Sequence, residues 1–316
     1  MYIKKILFSL ILLSLTLSIY AVDNELTFCV TGDSRGKEDG INKKIINKII
    51  DAVKKEKPSF VVVNGDLVNG YSSKLEKQLV TWRDTFMPPL LDAGIKVYSC
   101  RGNHDAANGK AKRSKTTALK IWQKVFSDKF AFPDNGPSGE KGVTYFIKSK
   151  NVLLLVFDSY TKKMKHKVNT EWMSQVLQKE KTSNSMHVFV MTHEPAFSVQ
   201  HKDCLESNPK ERDKFLELFL TNGGRCFFCG HDHFYNHAKV ELPAGEFHQF
   251  VCGTLGAPLY KWKEEYSDKR VSKVKHTKAF GYMVVHIKGN TATLTMKAWN
   301  NKNELETIDT FSYTLK

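Results

Sequence analysis

Apolar positions return along this chain in two rhythms that take turns. Residues 26–31 form a short apolar run of strand length. Ile41, Ile45, Ile49 and Val53 then recur at helical spacing, with Ile46 and Ile50 beside them, until Pro58 ends the pattern. Residues 60–63 are apolar without alternation, as in a strand buried on both faces. Residues 72–91 read as a helix broken at Pro88 and Pro89, and residues 95–99 as a third strand. That βαβαβ order predicts an α/β fold, a sheet with helices on its faces.

The second half keeps alternating and then turns to strands. Residues 143–147, 152–157, 187–191 and 226–229 read as strands, and residues 170–179 and 211–220 as helices. In the first of these helices Trp172, Met173 and Val176 face inward. Strands at 247–252, 282–287, 291–298 and 308–313 complete the pattern. Nothing rich in Pro, Gly or Ser divides residues 22–316, and no repeat is visible, so one domain is expected there.

Residues 1–21 stand apart. Lys4 and Lys5 precede an apolar run from 6 to 20, broken only by Ser and Thr, and Ala21 follows. This is the pattern of a signal peptide cut after Ala21, although Ile19 stands where a small residue is usual. The alternative is an uncleaved membrane anchor, for which the run is short. Either way the lysines stay inside and the rest is extracytoplasmic, periplasmic or secreted.

The chain has 316 residues, 41% of them hydrophobic and 26% charged, which excludes a disordered or collagen-like chain. Its six Cys are too few for a disulfide-dense scaffold. Cys226 and Cys229 would face opposite sides of a strand, which disfavours a mutual bridge, and buried thiols are the simpler reading.

Five strand ends run into loops bearing Asp, Asn or His. They are Gly32-Asp33-Ser34-Arg35, Gly65-Asp66, Gly102-Asn103-His104-Asp105, Thr192-His193 and Gly230-His231-Asp232-His233. Ligand sites in α/β sheets lie beyond the carboxyl ends of the strands, so these loops converge on one edge. Two carboxylates, one amide and three imidazoles suit two divalent cations such as Mn, Fe or Zn. A pair of such ions clamps the attacking and leaving oxygens of an in-line displacement at phosphorus and supplies hydroxide near neutral pH.

At these residues the chain resembles the calcineurin-like metallophosphoesterases, which include the purple acid phosphatases. Four of the family's five blocks match, at Gly65-Asp66, Gly102-Asn103-His104-Asp105, His193 and Gly230-His231-Asp232-His233. The resemblance covers about residues 25–290 and implies two packed mixed β-sheets flanked by helices. It further implies that Asp66 bridges two metals, that Asn103, His193 and His231 complete one site, and that Asp33 and His233 belong to the other. His104 would protonate or stabilise the leaving oxygen, and Asp105 would orient His104.

The first block departs from the family. Its usual metal-ligating His is replaced by Arg35, and a guanidinium has no lone pair to offer a metal. Arg35 is expected to grip the substrate phosphate instead, leaving the Asp33–His233 site one ligand short. Where purple acid phosphatases carry a Tyr three residues after the bridging Asp, this chain has Asn69, with Tyr71 two further on as a replacement candidate. That subfamily's chromophore and Fe(III) are therefore not implied.

Other residues read blandly. Asp158 is expected to be a strand-end cap. His166, His187, His201, His237, His248, His276 and His286 have no motif partner, and His201 is the best placed to line the cleft. The formal charge is +15, from 48 basic and 33 acidic residues, but 41 of the basic residues are Lys and 7 are Arg. That balance suits a solvated face better than a nucleic-acid track. Lysines clustered at 110–115 and 261–278 would steer anionic substrates. The expected function is metal-dependent phosphoesterase, acting on a phosphorylated small molecule or nucleotide. The alternatives are a phospho-ligand-binding protein without turnover and a nuclease.

Overall fold

The computed structural model describes residues 25–70, 73–106, 115–161, 164–262 and 265–315. The expected signal segment, Tyr71 and most of the 110–115 lysine cluster lie outside the described residues.

Two mixed sheets pack face to face. The first carries parallel strands β1 (Glu25–Thr31), β2 (Phe60–Val63) and β3 (Lys96–Ser99). It continues antiparallel from β1 into β11 (Gly281–Lys288), β12 (Thr291–Trp299) and β13 (Leu305–Thr314). In the second, β5 (Val152–Val156), β6 (His187–Met191), β7 (Cys226–Cys229) and β9 (Gly245–Cys252) run parallel. Antiparallel strands β4 (Tyr145–Ser149), β8 (Tyr235–Leu242) and β10 (Val271–Thr277) complete it.

The period of two along each strand sorts side chains between two cores. Val152, Leu154 and Val156 of β5 face the first sheet, while Leu153 and Leu155 face the helices behind. The inter-sheet core is aromatic, with Phe28 stacked on Phe60 at 4.9 Å and edge-on to Phe189 at 5.6 Å. Helices α1 (Lys43–Glu56), α2 (Leu75–Leu91) and α3 (Lys115–Val125) cover the first sheet's outer face. Helices α4 (Thr170–Glu180) and α5 (Pro209–Thr221) cover the second's. Asn42 caps α1 by accepting from the Ile45 N–H at 3.4 Å. All six cysteines are free and buried, and Cys226 and Cys229 face different cores.

The expected break at Pro88 and Pro89 does not occur; α2 runs through both prolines. They sit in the last turn, where Phe86, Met87 and Leu90 are buried and hold the turn against the sheet. The carbonyls of Pro88 and Leu90 are then met by the N–H groups of Asp92 and Ile95. Three elements had no apolar rhythm to announce them. These are α3, the largely exposed β10, and β8, whose buried Asn236 and His237 interrupt the pattern.

Asp158 is more than a cap. Its carboxylate accepts two hydrogen bonds from Arg101, from Nε at 2.9 Å and Nη2 at 2.7 Å, with both side chains fully buried. Arg101 follows β3 in the first sheet and Asp158 follows β5 in the second, so the pair clamps the sheets together at the edge where the motif loops lie. A second clamp joins β13 to β8 and β9. Tyr235 Oη and His237 Nδ1 both donate to Asp309, each at 2.7 Å, and His237 Nε2 meets His248 Nδ1 at 2.7 Å. Burial, then the adjacent His237, pushes the His248 imidazole down to about 4.

Two outcomes follow. Asp158→Ala leaves a buried guanidinium unpaired and should cost about 3–5 kcal/mol in chemical denaturation; a loss below about 1 kcal/mol would show that the clamp carries little. Between about pH 6.5 and 4 the unfolded chain protonates His248 and the folded chain does not. Its stabilising contribution is therefore whole above pH 6.5 and drains across that window. His248→Asn should narrow the gap between urea midpoints measured at pH 7.5 and 5.0, and an unchanged gap would refute the assignment.

Candidate metal centre

The parallel strands deliver their loops to one edge, where backbone hydrogen bonds knit them. Asp33 N–H donates to Gly65 O and Ser34 N–H to Asp66 O, both at 3.0 Å, and Gly230 N–H donates to His193 O at 2.9 Å. Three expected ligands, Asp33 (φ 61°), Asp66 (φ 49°) and His231 (φ 72°), sit in the left-handed region that side chains avoid. Strain of that kind, about 1–3 kcal/mol per residue, persists where surrounding contacts enforce it, and it concentrates at functional sites. Two glycines make the closeness possible. A Cβ on Gly102 would collide with the Asp66 carboxylate, and one on Gly230 with that of Asp33.

All nine residues expected at the site are found at this edge. Around Asp66 the lone pairs converge. His193 Nε2 lies 3.1 Å from Asn103 Oδ1 and 3.5 Å from Asp66 Oδ1, and His231 Nδ1 lies 3.1 Å from the same Asn103 oxygen. The remote ring nitrogens are committed: His193 Nδ1 donates to the Asn64 carbonyl at 2.7 Å, and His231 Nε2 donates to Asp203 at 3.3 Å. These bonds set the tautomers so that the inward nitrogens carry lone pairs, the usual arrangement of imidazoles that hold a metal. Oxygen and nitrogen acceptors facing one another repel unless a cation stands between them, so this set fits a divalent ion. Asp33, Asp66 and His193 also offer ligand atoms all within 4.8 Å of one another.

Charge tells the same story. Burial pushes the Asp33 carboxyl up, and the charge on Asp66 adds to it. Burial also pushes on Asp66, but His193, His104, Arg35 and His231 outweigh it and hold Asp66 below the usual range. Two adjacent buried carboxylates cannot both ionise at leisure, and a bound cation relieves the conflict. Burial pushes His193 down to about 4 and His233, with help from Arg35, to about 3, which keeps both neutral as ligands must be. His231 moves up, because its bond to Asp203 and the charges of Asp232 and Asp66 outweigh burial.

The other side of Asp66 differs. His233 Nδ1 donates to the Pro258 carbonyl at 2.8 Å, which leaves a lone pair on Nε2, yet Arg35 Nε donates to that atom at 3.2 Å. Arg35 Nη2 donates to Tyr260 Oη at 2.6 Å, and the Tyr260 ring stacks on His233 at 4.2 Å. Arg35 Nε is 4.0 Å from Asp66 Oδ2, and His233 Nε2 is 3.6 Å from Asp33 Oδ1. The donor set here does not fit a second ion while the guanidinium stays in place.

One expected role needs correction. Asp105 does not orient His104. Its carboxylate accepts from the backbone N–H groups of Gly102 (2.9 Å), Leu67 (3.2 Å) and Val68 (3.3 Å), which locks the loop after β2 to the loop after β3. His104 Nδ1 is held by the Asn69 carbonyl at 2.6 Å, and its Nε2 lies 3.8 Å from Asp66 Oδ2. His201 does line the site: its Nδ1 bonds Asp232 at 2.6 Å and its ring lies 4.6 Å from that of His231. Asp203 and Tyr260 belong to no motif, and the carbonyls of Asn64, Asn69 and Pro258 are backbone groups, so sequence reading missed all five.

Known proteins share this fold and much of its sequence pattern. Over 206 residues the chain is 25% identical to mouse (Mus musculus) serine/threonine-protein phosphatase CPPED1, a match covering 64% of this chain and 62% of that protein. The chain thus spans about three fifths of that relative's length. A purple acid phosphatase of yellow lupin (Lupinus luteus) superposes with a TM-score of 0.70 at 13% identity, over 92% of this chain and 54% of its own. A dimetal phosphatase from Danio rerio does so with a TM-score of 0.55 at 12% identity, over 92% of this chain and 99% of its own. These two share the fold of two mixed sheets flanked by helices. Residues 26–235 match the pattern of the calcineurin-like phosphoesterases, and the chain belongs to that family.

Proposed function

We propose that this protein hydrolyses phosphate esters in an extracytoplasmic compartment. The observation that carries this reading is the convergence of lone pairs from Asp66, Asn103, His193 and His231 beside His104. Mn, Fe or Zn suits that mixture of imidazole and oxygen donors. A divalent ion held there supplies Lewis acidity towards a phosphoryl oxygen and lowers the pKa of water.

His104 is the proton carrier. Its Nδ1–H is fixed on Asn69, so the exchangeable proton sits on Nε2, facing the carboxylate of Asp66. Burial lowers its pKa, which makes the imidazolium a readier donor to a leaving oxygen. Extracytoplasmic placement rests on the pattern of residues 1–21 alone.

A groove beside the centre supports a narrower substrate class. It has a volume of about 530 Å³, and its lining includes Arg35, Lys37, Glu38, Lys43 and Lys44 together with Gly256 and Pro258. Its excess of cations favours a substrate with charge beyond the scissile phosphate, such as a nucleotide or a phosphorylated small molecule. A second reading, binding of a phospho-ligand without turnover, is favoured by Arg35 standing against His233.

Three measurements separate these readings. Purified protein loaded with Mn2+ should hydrolyse p-nitrophenyl phosphate or its diester, and absence of turnover across a panel of monoesters, diesters and pyrophosphates would favour binding alone. His104→Ala should lower kcat by about 10²–10⁴-fold while keeping its metal, whereas His231→Ala should lose the metal itself; equal metal contents with equal rates would overturn the roles. Replacing Lys37 and Lys44 by Ser should raise KM for a nucleoside di- or triphosphate more than for p-nitrophenyl phosphate, and equal effects would remove the groove from substrate binding.

A further inference from the structure

The family's two-ion arrangement asks both sides of Asp66 for metal ligands, and in this chain the two sides are built differently. On the Asn103 side, each inward atom is an acceptor whose tautomer or chemistry leaves a lone pair pointing at its neighbours. On the His233 side the corresponding lone pair is already used, because Arg35 Nε–H points at His233 Nε2 at 3.2 Å. The guanidinium also approaches Asp66 Oδ2 to 4.0 Å, and Asp33 Oδ1 lies 3.6 Å from the same His233 nitrogen. A positive charge thus already stands among Asp33, Asp66 and His233, where the second ion of a pair would be bound.

The guanidinium is held there by built contacts. Tyr260 Oη accepts from Arg35 Nη2 at 2.6 Å, and the Tyr260 ring stacks on His233 at 4.2 Å and 19°. One tyrosine therefore fixes both the cation and the imidazole that accepts from it. The Tyr260 N–H in turn donates to the His233 carbonyl at 3.1 Å, and the Pro258 carbonyl pins the imidazole from behind. Two of the five guanidinium N–H groups are spent on this hold, and the remainder suits a phosphate oxygen.

We propose that the Arg35 guanidinium replaces one metal of the pair, so that the centre takes a single divalent ion on Asp66, Asn103, His193 and His231. In this arrangement His233 and Tyr260 are positioning residues for Arg35, and His233 is not a metal ligand. Asp66 serves as the counter-charge to Arg35, and Asp33 anchors the His231 backbone N–H, from which it accepts at 3.1 Å. The proposal rests on the phosphoesterase reading for the presence of any ion, but it makes its own claim about the number.

The test counts ions on the full-length folded protein. Wild type, Arg35→His and Arg35→Met are each equilibrated with Mn2+, and bound metal per chain is measured by elemental analysis after desalting and by calorimetry. Electron paramagnetic resonance then reads the spin state. Wild type should hold one ion and give the six-line signal of isolated Mn2+. Arg35→His should hold two, with the broadened multiline signal of a coupled pair. Arg35→Met removes the charge, keeps a stem of similar length, and should take up a second ion at least tenfold more weakly than Arg35→His. Two tightly bound, coupled ions in wild type would overturn the proposal and leave the phosphoesterase reading standing, whereas no ion in folded wild type would overturn both. A single ion in all three folded proteins would also overturn it, because the vacancy would then have another cause than the guanidinium.

Discussion

Two carboxylates buried side by side, Asp33 and Asp66, set the terms for the rest of this edge. Neither is accessible to water, and the charge on one raises the cost of charge on the other. Such a pair persists only where positive charge is supplied. The fold surrounds it with imidazoles, a guanidinium and a place for a cation. It then holds three residues of this ring in left-handed backbone, against their own preference. Parallel strands make the arrangement accessible, because each ends at the same edge and contributes one short loop. The Arg101–Asp158 clamp keeps the two contributing sheets in register at that edge.

Much of this was legible in the amino-acid sequence, and the reason is local. A strand read from its apolar run also announces where its loop begins. Gly65-Asp66, Gly102-Asn103-His104-Asp105 and Gly230-His231-Asp232-His233 therefore carried their own placement. The central strands and most helices were legible for the same reason. What stayed hidden depends on groups that have no side-chain signature. The carbonyls of Asn64, Asn69 and Pro258 set three imidazole tautomers, and any residue type offers a carbonyl. Asp105 is the instructive failure. The family resemblance implies that Asp105 orients His104, yet its carboxylate meets the backbone N–H groups of Gly102, Leu67 and Val68, and the imidazole finds a carbonyl instead. Tyr260 comes from a stretch of mixed polarity with no periodic signal, and only the fold brings it to His233.

Buried charge is handled in two ways in this molecule, and the contrast is informative. Arg101 and Asp158 are paired in a bidentate contact with no exposure, so each supplies the other's counter-charge and neither is available for chemistry. At the centre the acids outnumber the fixed cation. Asp33, Asp66 and Asp232 lie close around Arg35 and the histidines, and burial keeps His193 and His233 neutral. The surplus of negative charge and lone pairs is what separates a binding centre from a structural clamp, even though both use the same residue types.

A guanidinium and a metal ion are not equivalent solutions to that surplus. The guanidinium is covalently part of the chain, keeps its charge at every accessible pH, and is oriented by Tyr260 and His233 before any ligand arrives. An ion exchanges with the surroundings and depends on ligands that must stay deprotonated. A guanidinium cannot lower the pKa of a coordinated water, however, so it serves charge neutralisation and phosphate orientation only. With Arg35 on the Asp33 side, a divalent ion held on the Asn103 side as proposed would divide labour between a permanent electrostatic anchor and an exchangeable Lewis acid. His104 stands beside Asp66, the residue both sides share, so the proposed anchor and the proposed ion would meet at that imidazole.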